Sequence, residues 1–260
     1  MVENKKSELI HTNLLIAGDS HLQKALNPLD LISAKSICQT AEPYMVTYWK
    51  LKYLEKTYQC DTLILGFSHH NFSSFNDLKF IDNTWSNEMY KRTYLIEHFS
   101  DIDSKYYNKN DYYKTYFKEM CIYPNKNHFR FIGGFKNVGN KSVMDSEKAI
   151  KRHFYINGTL ADVSTLQSAY LDSIYFFCKT NNVELILASS PTYIDYSKKI
   201  PQIYLNLFQE KKEEFKNRTI IIVDKYNSSY PKELYLNSDH LNLKGSKKYA
   251  TEIKKVLNGN

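Results

Sequence analysis

The chain has 260 residues, of which 42% are hydrophobic and 24% are charged, so a collagen-like, coiled-coil, disordered or disulfide-dependent chain is excluded. This length is sufficient for a full hydrophobic core without metal or disulfide cross-links. The 35 basic and 28 acidic residues give a net charge of +7, but the lysines lie in short scattered clusters, which are typical of solvated helix faces and predict no nucleic-acid-binding stripe.

Short apolar runs alternate along the chain with longer segments of helical periodicity. The apolar runs that predict strands are residues 13–17, 34–38, 62–67, 183–188 and 219–223. The segments that predict helices are residues 44–58, 166–179, 203–216 and 243–257. The apolar runs are continuous, as in strands that are buried on both faces. We therefore predict an α/β fold, a three-layer αβα sandwich with a mostly parallel sheet.

One long segment, residues 72–160, interrupts this alternation and is rich in tyrosine, asparagine and lysine. Aromatic residues make up 15% of the whole chain. We predict one α/β domain over residues 1–260, with an aromatic-rich, largely helical insertion at about 72–160 that packs over an edge of the sheet. Its aromatic side chains are expected to build a small separate core, to cover a site as a lid, or both.

Three polar segments follow predicted strands or precede the last helix. Residues 18–21 read Gly-Asp-Ser-His, residues 66–71 read Gly-Phe-Ser-His-His-Asn, and residues 237–245 read Asn-Ser-Asp-His-Leu-Asn-Leu-Lys-Gly. In open parallel sheets, ligand sites form at the carboxyl ends of the strands. The side chains of these segments are therefore the candidates for a functional site.

A Gly-Asp-Ser turn after the first strand, with an Asp-His segment that opens the last helix, resembles the SGNH (GDSL-type) hydrolase superfamily. The Asp-His-Leu-Asn-x-x-Gly run is similar to the branch whose members are esterases and O-acyltransferases of envelope carbohydrates. The resemblance covers residues 12–71 and 160–258 and leaves out the insertion. It implies a flavodoxin-like sheet and a serine nucleophile, and the chemistry requires no cofactor.

Ser20 and His240 are the predicted nucleophile and general base, because a serine hydroxyl attacks only when a base takes its proton. The resemblance implies an aspartate three residues before the histidine, where this chain has Asn237. Asp239 directly precedes the histidine instead. The imidazole is therefore oriented by Asn237 through a hydrogen bond, or by the carboxylate of Asp239 or Asp224. If none of these serves, we expect reduced activity.

An acyl-transfer site also needs hydrogen-bond donors for the oxyanion. The backbone N–H of Ser20 is one candidate. The resemblance implies a glycine after the second strand and an asparagine after the third. Ala41 is the nearest match to the glycine, and Ser68 and Asn71 are the nearest matches to the asparagine.

Four further polar residues are expected near this pocket. Asp19 and His21 flank the predicted nucleophile, and His69 and His70 follow the third strand. We expect at least one of these two adjacent histidines to be a bystander. Asp-x-His at 19–21 also fits the opening motif of calcineurin-like metallophosphoesterases, with residues 69, 70, 239 and 240 as further ligands. The other blocks of that family are missing, so we predict no metal ligands.

The sequence therefore predicts a serine esterase or O-acyltransferase that acts on an acyl ester through an acyl-enzyme. The resemblance implies a carbohydrate or glycoconjugate ester as substrate. The alternative is an SGNH-fold protein of weak or no activity that binds carbohydrate or assembles a complex, which Asn237 and the missing glycine favour.

For partners and location, we expect a small-molecule or carbohydrate ester, no nucleic acid and no integral membrane segment, because no apolar run approaches the ~18 residues of a membrane helix. The oligomeric state stays open. The polar first 12 residues do not form a secretory signal, and two locations stay open. The protein is expected to be cytoplasmic if no export segment has been removed. If an export segment has been removed, the cell envelope or periplasm is expected instead.

Overall fold

The structure is a computed structural model that describes residues 10–82, 84–93, 104–118, 121, 132–139 and 143–259. The strands in these ranges are β1 (Ile10–Ala17), β2 (Ala34–Ser36), β3 (Tyr58–Gly66), β4 (Tyr155–Ile156), β5 (Thr159–Leu160), β6 (Glu184–Ser189), β7 (Ile221–Asp224), β8 (Tyr235–Asn237) and β9 (His240–Leu241). The α-helices are α1 (Ser20–Ala25), α2 (Tyr44–Leu54), α3 (Phe75–Leu78), α4 (Ser86–Thr93), α5 (Lys109–Phe117), α6 (Ser146–Phe154), α7 (Thr165–Thr180), α8 (Ile194–Ser197), α9 (Gln202–Asn217) and α10 (Leu243–Leu257).

Five parallel strands form the central sheet in the order β2-β1-β3-β6-β7. The register aligns Leu15 with Leu63 and Leu63 with Leu185 across the middle of the sheet. These three leucines belong to the hydrophobic cluster on one face, whereas Ile16 and Ile64 belong to the cluster on the other. Because successive side chains of a strand point to opposite faces, a strand covered on both faces is apolar at every position.

Helices cover both faces of this sheet. One face packs against α2, α7 and α9, through side chains such as Leu51, Ile174 and Phe208. The other packs against α1 and α10, through Leu22 and Ile253. The predicted three-layer α/β class with a mostly parallel sheet is therefore confirmed. Among the described residues, no helix has the length and hydropathy that crossing a membrane demands.

The described part of the insertion is largely helical, with α3 to α6 and a small hairpin of β4 and β5. Its buried aromatic residues do not form a separate core. Phe80, Tyr90, Tyr112 and Phe154 belong to the same hydrophobic cluster as one face of the sheet. The expectation of a satellite core is wrong for these side chains, because the segment lies close enough to extend the main core.

Candidate active site

The first polar segment forms a tight turn between β1 and α1. Gly18 has a φ of +134°, and a Cβ atom there would lie only 3.1 Å from the backbone nitrogen of Gly66. Only glycine permits this backbone conformation and this close approach of two strand ends. Asp19 then caps α1 by accepting the backbone N–H of His21 at 2.9 Å. The turn therefore holds Ser20 in the first turn of α1, at the carboxyl edge of the sheet.

The third polar segment forms a hairpin from β8 and β9, in which Asn237 and His240 are paired across a two-residue turn. Paired residues of antiparallel strands have Cβ atoms about 5 Å apart, so their side chains can contact. The turn is anchored by Ser238, whose Oγ accepts the backbone N–H of Asp145 at 2.9 Å. The sequence patterns did not predict this hairpin, because strands of two and three residues are too short to show periodicity.

Ser20, His240 and Asn237 form a chain of hydrogen bonds. The Nε2 atom of His240 lies 2.9 Å from the Oγ of Ser20, and its Nδ1 lies 2.9 Å from the Oδ1 of Asn237. An amide oxygen only accepts hydrogen bonds, so Nδ1 carries the ring proton and Nε2 is the acceptor. Nε2 is thus placed to receive the proton of the serine hydroxyl.

The imidazole of His240 is buried, and burial lowers its pKa to about 4, against the opposing charge of Asp239. The ring is therefore neutral at pH 7. A neutral imidazole with an unprotonated Nε2 is the form that acts as a general base.

Asp239 lies beside the imidazole, but farther from Nδ1 than Asn237 does. Its Oδ1 is 3.2 Å from the Nδ1 of His240, and this oxygen has no hydrogen bond of good geometry among the described residues. Its Oδ2 accepts Nη2 of Arg152 at 2.9 Å and lies 3.5 Å from the Nε2 of His153. Burial opposes ionisation of Asp239, but His240 and His21 hold its pKa well below the usual value. Asp239 therefore supplies a fixed negative charge next to the base.

The third carboxylate that the sequence offered for orienting His240, Asp224, is engaged elsewhere. It accepts a hydrogen bond from Ser189 at 3.0 Å and pairs with Lys212 at the end of β7. Of the three candidates, only Asn237 forms a hydrogen bond with the imidazole among the described contacts.

Ser20 and Ala41 line the same pocket. The backbone N–H group of neither residue donates to an acceptor among the described residues. Ala41 has a φ of +60°, which is the left-handed conformation that favours glycine. The backbone conformation that suits a glycine is therefore present, although the residue is alanine. These two N–H groups are the available donors for an oxyanion.

The other oxyanion candidates, Ser68 and Asn71, are not among the residues that line the pocket. The N–H of Ser68 donates to Oδ1 of Asn71 at 2.8 Å, and Nδ2 of Asn71 donates to Oδ2 of Asp19 at 2.9 Å. In the described contacts, Asn71 therefore supports the side chain of Asp19, and Ser68 orients Asn71.

Insertion residues hold the loop that carries Ala41. Nζ of Lys79 donates to the carbonyl of Ala41 at 2.9 Å and to Oδ1 of Asn76 at 2.6 Å. Nη1 of Arg92 donates to the carbonyl of Thr40 at 3.0 Å. The insertion is therefore part of the site as well as of the core.

The adjacent histidines after β3 have different surroundings. His70 lines the pocket, and its Nε2 forms a hydrogen bond with Oδ2 of Asp19. His69 points into the core, where its ring stacks on Phe208 at a centroid distance of 4.0 Å. The hydrogen bonds that Asp19 receives hold its pKa well below the usual value, although burial alone would raise it.

Four histidine rings cluster at the site, and one of them is the ring of His240 itself. The buried ring of His21 lies 4.1 Å from that of His70, 4.9 Å from that of His240 and 5.6 Å from that of His153. Neither ring nitrogen of His21 has a hydrogen-bond partner among the described residues. Two combinations of side chains bring atoms that could bind a metal ion within 4.8 Å of one another. The first combination is His21 with His70 and His153, and the second is His21 with Asp239 and His240.

Neither combination has the geometry of a metal site. The rings of His70 and His153 are stacked, with planes only 23° apart, whereas a metal ion lies near the plane of each imidazole that binds it. In the second combination, the nitrogens of His240 already contact Ser20 and Asn237. The described contacts therefore favour hydrogen bonding and proton transfer over the metallophosphoesterase interpretation.

The pocket above Ser20 and His240 has a volume of about 270 Å³. Its remaining lining residues are Asp19, Lys24, Thr40, Ala41, His70, Phe75, Asn76, Lys79, Trp85, Arg152, His153 and Asn237. The sequence analysis missed most of these residues, since those in the insertion follow no predicted strand. Lys24 could have been found, because residues four apart lie on the same face of a helix.

The buried histidines predict that folding stability falls in acid. Burial lowers the pKa of His69 to about 3 and that of His240 to about 4, from about 6.5 in an unfolded chain. The unfolded chain therefore binds protons first. This contribution to stability is complete above about pH 6.5 and is lost as the pH falls toward the folded values, by about 1.4 kcal/mol per pH unit for each histidine.

Urea unfolding between pH 7 and pH 5 checks this slope. The matched variant is His69→Phe, which keeps an aromatic ring against Phe208 and removes one titrating group. Its stability is expected to fall by about 2 kcal/mol less than that of the wild type between pH 7 and pH 5, because the slope approaches 1.4 kcal/mol per pH unit only below about pH 6.5. Equal slopes for the variant and the wild type would contradict the prediction.

The similarity of this chain to known proteins is low. No family model matches the chain, and no curated protein matches it. Among solved structures, a Bacteroides fragilis protein described as a putative acylhydrolase is 11% identical in sequence, with a TM-score of 0.47. The alignment covers 98% of this chain and 92% of that chain. The acetyl xylan esterase Est2A of the rumen bacterium Butyrivibrio proteoclasticus is 12% identical with a TM-score of 0.37, covering 96% of this chain and 64% of that one. At these values, the functional conclusion depends on the geometry of the site alone.

Proposed function

We propose that the protein is a serine hydrolase that acts on acyl esters, or an O-acyltransferase that uses the same acyl-enzyme. The observation that carries the proposal is the 2.9 Å contact between Oγ of Ser20 and Nε2 of His240. This contact joins a nucleophile to a base that is neutral at pH 7. Two residues that line the same pocket, Ser20 and Ala41, have backbone N–H groups with no acceptor among the described residues. Together these are the parts that acyl transfer requires.

In the first half of the reaction, Nε2 of His240 takes the hydroxyl proton while Oγ of Ser20 attacks the acyl carbon. The carbonyl oxygen becomes an oxyanion, which the N–H groups of Ser20 and Ala41 stabilise. The imidazolium then donates its proton to the departing alcohol. The C–O bond to that alcohol breaks, and the acyl group remains on the serine.

In the second half, a water molecule or an acceptor hydroxyl enters the same position. His240 takes its proton, the new oxygen attacks the acyl carbon, and Oγ of Ser20 leaves with the proton returned by the imidazolium. Water gives hydrolysis, and a sugar hydroxyl gives O-acyl transfer. We favour a carbohydrate or glycoconjugate substrate, because Phe75 and Trp85 give the pocket an aromatic wall of the kind on which a sugar ring stacks.

Labelling with a fluorophosphonate probe tests this proposal directly. A serine activated by a base is expected to displace fluoride and form one phosphonyl adduct, which peptide mass spectrometry locates on Ser20. Ser20→Ala should carry no adduct. An unlabelled wild-type protein would reject the esterase proposal and favour the binding or assembly protein, for which Asn237 in place of an aspartate is the supporting feature.

A further inference from the structure

The pocket above Ser20 has an uneven distribution of charge. Three cationic side chains line it, those of Lys24, Lys79 and Arg152. Asp19 is the only carboxylate among its lining residues within the described chain. The oxygens of Asp19 already accept hydrogen bonds from His21, His70 and Asn71.

Lys24 is the cation with no partner. It is half-buried one turn after Ser20 on α1, and its ammonium forms no hydrogen bond or ion pair with any described residue. Burial lowers its pKa to about 8, together with the positive charges of Lys136 and Arg152 and against the attraction of Asp239 and Asp19. A poorly hydrated ammonium with no direct ion pair costs free energy, which an anion at this position would offset.

Arg152 retains donors that the protein does not use. Its Nη2 donates to Asp239, which leaves further N–H groups of its guanidinium. Lys79 is already engaged, because it donates to Ala41 and Asn76 and its Nζ lies over the rings of Phe75 and Trp85. Burial also lowers the pKa of Lys79 to about 7. The unused donors of Lys24 and Arg152 in one pocket are suited to a carboxylate or a phosphate group.

We propose that the pocket contains an anion subsite and that the substrate is an acyl ester bearing a carboxylate or phosphate group, bound by Lys24 together with Arg152. This inference deepens the proposed esterase function and rests on it. Lys24 supplies an ammonium that is in no direct ion pair, and Arg152 supplies N–H groups that can bind two oxygens of the anion at once. Lys79 holds the Ala41 loop.

The kinetic test uses three acetyl esters that differ in charge, namely phenyl acetate, 4-acetoxybenzoate and 4-acetoxyphenyl phosphate. The wild type is expected to favour a charged ester, and the better of the two identifies carboxylate or phosphate as the natural group. Lys24→Gln is expected to lower kcat/KM for that ester about tenfold more than for phenyl acetate, through KM, because a charged hydrogen bond is lost. Lys247→Gln, an exposed residue on α10, removes the same charge and should preserve the preference.

A binding test separates this inference from the esterase proposal. Ser20→Ala cannot turn over the ester, so titration calorimetry measures its affinity for the favoured charged ester directly. The double variant with Lys24→Gln should bind it about tenfold more weakly. No preference for a charged ester, or equal affinity of the single and double variants, would overturn the anion subsite even if Ser20 is labelled. Charge-dependent binding without labelling of Ser20 would retain the subsite and reject the esterase.

Discussion

Replacing Ser20 with alanine is expected to lower kcat/KM for phenyl acetate by at least about 1000-fold, because the acyl-enzyme cannot form without the hydroxyl. His240→Ala should cost a similar factor, since the serine then has no base within 2.9 Å. The double variant should be no worse than either single variant, because residues that act as one unit are not additive. Initial rates with phenyl acetate and circular dichroism of each variant provide the measurement.

The matched control is a second buried serine at a strand end. Ser190 follows β6, and its Oγ has no hydrogen-bond partner among the described residues. It does not line the pocket, so Ser190→Ala should keep wild-type turnover. Substantial turnover by Ser20→Ala, with an intact fold, would show that another group performs the chemistry.

The second large effect is expected from Asn237→Asp. An amide oxygen orients the ring of His240 but carries no charge, whereas a carboxylate at the same 2.9 Å contact also stabilises the imidazolium that forms in the transition state. We expect kcat/KM to rise about tenfold, which is about 1.4 kcal/mol. The same charge raises the pKa of His240. The acid limb of the kcat/KM profile should therefore shift to higher pH, from an expected midpoint near 4 in the wild type.

A kcat/KM profile between pH 3.5 and pH 8 measures both effects. The comparison variant is Asp239→Asn, which removes the nearby charge that opposes burial and should move the acid limb downward. An unchanged profile for Asn237→Asp would mean that residue 237 does not orient the base in solution. Urea unfolding at pH 7 shows whether a second carboxylate beside Asp239 also weakens the fold.

The insertion has a greater part in this site than its position in the chain indicates. Arg152 bonds to the carboxylate beside the base, and Lys79 and Arg92 hold the loop of Ala41. Aromatic residues of the same segment extend the main core. The insertion therefore contributes both to the hydrophobic core and to the shape and charge of the pocket. Substitutions in the insertion are expected to change substrate selection more than they change the contact between Ser20 and His240.

By itself, the sequence determined the parallel α/β class, the position of most strands and helices, and the residues 20 and 240 as partners. These features depend on local patterns, since strands buried on both faces are apolar at every position and a glycine turn limits where a strand ends. Asn242 directly precedes the last predicted helix and caps α10, where it accepts the N–H groups of Lys244 and Gly245.

Only the tertiary structure decided which side chains contact His240, which backbone N–H groups are left unused beside Ser20 and which basic side chains line the pocket. The pairing of residues 237 and 240 depends on a hairpin too short to show periodicity, and the use of Asn71 depends on a carboxylate 52 residues away. Lys79 and Arg152 belong to the insertion between β3 and β6, and neither residue lies at the end of a strand of the central sheet. Such contacts are set by how distant segments pack and by which donors are already engaged, and neither leaves a periodic signal along the chain.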